Sequence, residues 1–252
     1  MKAFWAAATA TVLAGMLDRP RPHQIAEATL IATLAAEITR KEPGRDARDT
    51  LTLLLSLGAA ALGGVTIARS THQPDPHGNP GAFRGGAAWY ALAQLLTVTL
   101  LWRRGARPHT GHWPARGAGL LLGAGLLIRH DPGSLPVLSG YGALLNLMAL
   151  LAADPHLTRA HPDAARLLRR GGWMFVASDL LILVRRYLLR DRLSRALTEG
   201  VMLALYAGAQ RDLTRGLMLL IRTPIEWAAK PAGSERMRAG EKRVPDVELA
   251  IR

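Results

Sequence analysis

Apolar runs alternate with short arginine-rich connections along most of this chain. Eight apolar segments can be drawn, at about 3–17, 24–39, 50–68, 83–102, 115–129, 134–153, 171–189 and 196–213. Most approach the roughly 17–25 residues that a helix needs to cross a bilayer. The first, second and fifth are short, and the second carries Glu27 and Glu37, which makes it the weakest span. Segments three, six, seven and eight are the strongest. The pattern predicts an all-α fold, a polytopic transmembrane helix bundle of about eight spans occupying residues 1–228. A polar, partly disordered tail is expected over 229–252. Just before it, "GLMLLIRTPIEWAA" (216–229) reads as an amphipathic helix lying in the membrane interface.

The start, Lys2 followed by "AFWAAATATVLAGML", has the charge and apolar stretch of a signal peptide. Further apolar segments follow it, so an uncleaved first span is the simpler expectation. Lysine and arginine are distributed unevenly between the two sides of an eight-span arrangement. The side with both termini and the 2–3, 4–5 and 6–7 connections holds 22 of the 32. That excess places both termini in the cytoplasm, with the protein in the plasma (inner) membrane. The 7–8 connection dissents, with Arg185, Arg186, Arg190, Arg192 and Arg195. Trp5, Trp102, Trp113 and Trp173 lie near segment ends and fit an interfacial aromatic belt.

Composition narrows the picture. Apolar residues make up 49% of the chain, and arginine far outnumbers lysine, which suggests a GC-rich bacterial source. A net charge of +13 would ordinarily point to nucleic acid. Here the arginines flank apolar runs without interleaved aromatics, so membrane lipid is the expected partner and nucleic acid is not. Cysteine is absent, which excludes disulfides, thiolate metal sites and cysteine nucleophiles. His72, Asp75 and His77 fall in a Pro/Gly-rich loop without the spacing of a ligand set, so no metal is expected. No cofactor is implied.

The candidate chemistry lies inside the apolar runs. "GGWMFVASDLLILV" (171–184) surrounds Asp179 with apolar residues on every side. An ionised carboxylate at that depth costs at least about 2.5–3.5 kcal/mol, so such a group turns inward, pairs or stays protonated. A packing hydrogen bond, or an ion pair with Arg186 seven residues on, would satisfy it without any chemistry. In segment eight Glu199, Tyr206 and Gln210 recur at spacings of seven and four and share one helix face. In segment six Tyr141 and Asn146 are buried but stand about 140° apart around the helix. Tyr90, Gln94 and Thr97 share a face of segment four. Each alone reads as packing. Their number across four spans suggests a polar cavity.

Ser178–Asp179 in "FVASDLLILVRRY", the "YAGAQ" at 206–210, and Pro136, Val137, Tyr141, Met148 and Ala152 of segment six together resemble the lysoplasmalogenase (YhhN-like) family of multi-pass membrane proteins. The resemblance is best over 133–213 and looser over 20–105. It implies about eight spans and hydrolysis of the vinyl ether bond of lysoplasmalogens, giving a fatty aldehyde and a glycerophospho-alcohol. Two departures stand out. Gly64, in "LGGVTIA", occupies the place of an early-span Asp of the family. Gln94, in "AWYALAQ", occupies the place of a His.

On that resemblance Asp179 is the expected general acid, with Tyr206 and Gln210 orienting water or substrate. Tyr141, Asn146, Ser178 and Glu199 would line the substrate site, and Arg185 or Arg186 would hold the lipid phosphate. Glu199 is the expected substitute for the missing second carboxylate. Two other expectations stand beside this one: a catalytically inactive member that binds lipid or protein, favoured by the two departures, and a small transporter, which polar residues lining a bundle would also suit.

Overall fold

The computed structural model describes residues 2–40, 45–71, 79–108 and 113–222, with the side chains of 70–71 and 113–116 left aside. The loop histidines His72 and His77 with Asp75, the side chain of Trp113 and the 229–252 tail therefore lie outside the described residues. Among those described there are eight long helices, one short helix and no strand: α1 (Lys2–Met16), α2 (Pro20–Thr39), α3 (Ala47–Thr71), α4 (Pro80–Arg103), α5 (Trp113–His130), α6 (Leu135–Leu151), α7 (Pro155–Ala160), α8 (Pro162–Tyr187) and α9 (Arg192–Arg222). The expected all-α bundle is found, with one helix for each of the eight apolar segments.

Local sequence sets the helix ends. Proline opens α2, α4, α7 and α8, where its missing N–H costs nothing and its fixed φ suits the first turn. Asn79 caps α4 by accepting from the N–H groups of Gly81 and Ala82 at 2.9 and 3.1 Å. Asp154 caps α7 through His156 N at 2.9 Å and also takes the N–H of Arg107 at 2.7 Å, tying the 4–5 connection to the end of α6. Helix α4 stops at Gly105, whose φ of +87° suits a residue without Cβ.

The helices close into a ring. Going round it, α1 packs on α2, α2 on α3, α3 on α4, α4 on α6, α6 on α8, α8 on α9, and α9 returns to α1. Helix α5 stands outside the ring against α6 and α8. The α8–α9 contact is close: a Cβ on Gly171 would lie 2.9 Å from Leu213 Cγ and 3.2 Å from the carbonyl oxygen of Ala209. Small residues at such crossings let membrane helices approach.

Among the described residues, three stretches are long and apolar enough to cross a membrane: Ala47–Arg69, Pro80–Arg103 and Pro132–Ala160, with Gly117–His130 a shorter apolar helix. Segments seven and eight form helices but fall short on composition, because α8 and α9 carry many ionisable residues. Those charges are largely paired. Arg185 Nε lies 2.6 Å from Glu199 Oε2, Arg170 Nε lies 2.5 Å from Asp212 Oδ2, and Arg215 Nη2 lies 2.7 Å from Glu37 Oε1. Arg186 lies over the Phe83 ring at 4.4 Å. Two arginines of the 7–8 connection, Arg185 and Arg186, thus have internal contacts.

The expected interfacial helix at 216–229 is not found over its described part. Helix α9 runs unbroken to Arg222, and Gly216, Leu217, Met218, Leu220 and Ile221 are buried in the bundle. Their apolar face meets α8 and its neighbours rather than headgroups. The remainder, 223–229, lies outside the described residues. At the same end, Asp49 is fully buried between Arg103 (2.7 Å) and Arg104 (2.5 Å), and Arg104 also donates to the carbonyls of Leu220 and Ile221. Trp5 and Trp102 are about half exposed and Trp173 somewhat less, on the outside of the bundle.

Candidate functional site

The site forms where the ring helices turn their aromatic residues inward. Tyr90 of α4, Phe175 of α8 and Tyr206 of α9 meet edge to face, with ring centroids 5.9–6.1 Å apart. Tyr141 of α6 joins them, 6.4 Å from Tyr90. This cluster divides the interior. On one side lies an apolar chamber of about 320 Å³, on the other a polar chamber of about 60 Å³. Tyr90, Ile67, Ile182 and Asp179 line both.

Asp179 thus stands in the wall between the two. The Tyr141 hydroxyl donates to its Oδ2 in a very short contact. The carboxyl group points inward and is held from a neighbouring helix. The ion pair with Arg186 that the spacing allows is not formed, since Arg186 is turned to Phe83.

The polar chamber gathers His23, Glu27, Glu199, Arg185, Ser178 and Tyr206. Glu27 is the residue that sequence reasoning missed. In the sequence it stands as a charge inside the second apolar segment, where it weakens the case for a span. In the bundle it is 3% exposed, with Nε2 of His23 3.8 Å from its Oε2. A Cβ placed on Gly64 would collide with the Glu27 carboxylate. The neighbouring Gly63 similarly admits the Tyr90 ring, whose Cδ2 would lie 2.8 Å from a Cβ there. The glycine pair of α3 is therefore the floor on which a carboxylate and a tyrosine from two other helices rest. Tyr206 faces Glu27, Tyr90 and Gln210, and its hydroxyl makes no hydrogen bond of good geometry among the described residues.

The sequence candidates separate into groups. Asp179, Tyr141, Tyr206, Glu199, Ser178 and Arg185 are brought to the two chambers. Ser178 is committed to helix packing, its hydroxyl donating to Met202 O at 3.0 Å. Arg185 is held by Glu199. Asn146 lines the apolar chamber with Tyr141 despite their separation around the helix; its Nδ2 donates to Gly142 O at 2.9 Å and its buried Oδ1 has no hydrogen-bond partner among the described residues. Gln210 lies apart from Asp179. It stands behind Tyr206 in a third, smaller cavity with Gln94, Ser56 and Thr97. Ser56 there shares hydrogen bonds with Thr97 Oγ1 and Ala93 O, both at 3.0 Å.

An all-α, membrane-embedded helix bundle with carboxylates enclosed among tyrosines is the class of protein that this fold and site define. The family profile described as the YhhN family matches residues 23–217, and the chain belongs to that family. The match takes in α2 and α3, so Glu27 and Gly64 fall inside it. Comparisons with curated proteins and with solved structures gave no match.

Proposed function

We propose that this protein is an integral membrane hydrolase of the lysoplasmalogenase type, cleaving the vinyl ether bond of a lysoplasmalogen-like lipid. The supporting observation is Asp179, bonded to Tyr141, in the wall between an apolar chamber and one that holds two further carboxylates. Membership of the YhhN family supports the same reading.

The reaction needs a proton delivered to the β-carbon of the enol ether. Asp179 serves as the acid: Tyr141 donates to Oδ2, which leaves Oδ1 to carry the proton. Protonation gives an oxocarbenium ion at the carbon bearing the ether oxygen. A nearby carboxylate lowers the energy of that cation. Glu27 fills this role, in place of the Glu199 expected from sequence, because Glu199 is engaged by Arg185. Glu27 then accepts a proton from the water that adds to the cation. The resulting hemiacetal breaks its bond to the glycerol oxygen, which leaves with a proton, and the aldehyde is released. Two protonations and two deprotonations balance, with one water consumed.

The orientation inferred from charge puts the termini in the cytoplasm. Helix α2 then begins, and α8 ends, on the opposite side, which places the acidic chamber in the outer half of the membrane.

The test is aldehyde release from lysoplasmenylethanolamine by the purified protein in detergent. Turnover abolished by Asp179→Asn supports the reading. Absence of turnover by the unaltered protein, under conditions where another family member works, overturns it. Lipid binding without turnover would then favour an inactive, lipid-binding member.

A further inference from the structure

We propose that the apolar chamber holds a single unbranched hydrocarbon chain, and that Gly119 and Gly123 of α5 set the length of chain it accepts. The proposal takes the chemistry at Asp179 from the reading above, but the chamber's occupant is argued from its shape and lining.

Three features identify the occupant. The chamber, at about 320 Å³, falls at the lower end of the roughly 300–1,000 Å³ typical of sites for small organic molecules. Its walls are almost wholly apolar, with leucine, isoleucine, valine and phenylalanine side chains from α3, α4, α5, α6 and α8. Its polar groups are few, and among them are the Asp179–Tyr141 pair and the unpartnered buried Oδ1 of Asn146. A water-filled space would be lined differently. An amphiphile with one apolar chain satisfies both ends: the chain fills the chamber, and its polar end reaches Asp179 and the acidic chamber beyond. Asn146 Oδ1 is then available to a hydroxyl on the ligand.

Helix α5 lines the apolar chamber and not the acidic one, so it forms a wall that Asp179 and Tyr90 do not share. Gly119 and Gly123 stand one turn apart on one face, and both line the chamber. A Cβ on Gly119 would meet nothing within 4 Å, and one on Gly123 would meet only Leu183 Cδ1, at 3.4 Å. The missing side chains are therefore volume added to the chamber, not room for a neighbouring helix. Each methylene buried there strengthens binding about fourfold. A side chain grown from Gly119 takes that space from the end of a long chain and leaves a short one undisturbed.

The experiment measures binding, so it needs no turnover. Saturated-ether lysophosphoethanolamines, which lack the cleavable vinyl ether, are titrated into the purified full-length protein with decyl, tetradecyl and octadecyl chains. The unaltered protein is expected to bind more tightly as the chain lengthens. Gly119→Phe is expected to weaken the octadecyl ligand by about tenfold or more, the loss of two or more buried methylenes, and to leave the decyl ligand unchanged. Gly119→Leu, a smaller intrusion, must give an intermediate loss and covers the case in which the phenylalanine variant does not fold. Leu122→Phe, on the outward face of the same helix and half exposed, is expected to change none of the three. Equal losses for all chain lengths, no loss for any, or the same effect from Leu122→Phe would overturn the proposal. Length-selective binding without aldehyde release would remove the hydrolase reading and leave this one standing.

Discussion

The carboxylate of Glu27 occupies the space into which a side chain at Gly64 would grow. Two positions on different helices, α2 and α3, therefore compete for one volume beside Tyr90 and Tyr206. Installing Gly64→Asp alone crowds two carboxylates into that volume. Overpacking of a buried site costs about 1–3 kcal/mol before any charge repulsion, so the variant is expected to denature at a lower temperature than the parent. Combining it with Glu27→Ala removes the competitor and should recover stability and aldehyde release together. Recovery of neither would show that Glu27 is not interchangeable with a carboxylate at 64.

Asp179→Asn keeps the size of the side chain and removes the acid. Loss of a positioned general acid typically lowers rate by about 10²–10⁴-fold. Single-turnover measurements on vinyl ether substrate should show that loss with lipid affinity retained. Tyr141→Phe, which removes the donor to Oδ2 but not the acid, is expected to reduce kcat less and to leave KM nearly unchanged.

Away from the site, Asp49 bridges Arg103 and Arg104 with no exposure to solvent. Replacing it with Asn removes the buried charge that both guanidinium groups share, and breaking buried pairs of this kind costs about 3–5 kcal/mol. Asp163, 80% exposed beside Arg166, offers the comparison. Its replacement by Asn should change stability by less than about 1 kcal/mol, as for exposed pairs generally. Thermal denaturation of the two variants in the same detergent checks the contrast.

The absence of native cysteine makes orientation directly measurable. Arg190→Cys, in the exposed α8–α9 connection, is expected to react with a membrane-impermeant maleimide on intact cells. Arg48→Cys, exposed near the start of α3, should react only after permeabilisation. The reverse pattern would invert the assignment and move the acidic chamber to the cytoplasmic half.

Much of the architecture could be read from the chain. Proline and asparagine at helix starts and the apolar runs locate all eight long helices. Asp179 is conspicuous because it is the one ionisable side chain in the apolar run 171–184. Glu27 is not, for a physical reason: periodicity tells which residues share a helix face, but not which helices become neighbours. Only the packing of α2 on α3 shows that Glu27 rests on Gly64, and only the ring shows that Gln210 stands behind Tyr206 instead of beside Asp179. The stretch from Gly216 failed for a related reason. An apolar face with charged flanks suits a membrane surface and a bundle seam equally well, and its burial against α8 decides between them.

Because the ring is shut by α9 returning to α1, with Arg104 reaching the carbonyls of Leu220 and Ile221, two helices far apart in the sequence meet at one seam. Without α9, α1 would have only one of its two ring neighbours, and the chamber around Glu27 would lack the wall that carries Tyr206 and Glu199. The acidic centre is thus a property of the closed ring and of no single helix pair, because Glu27 meets Tyr206 and Glu199 only across that seam.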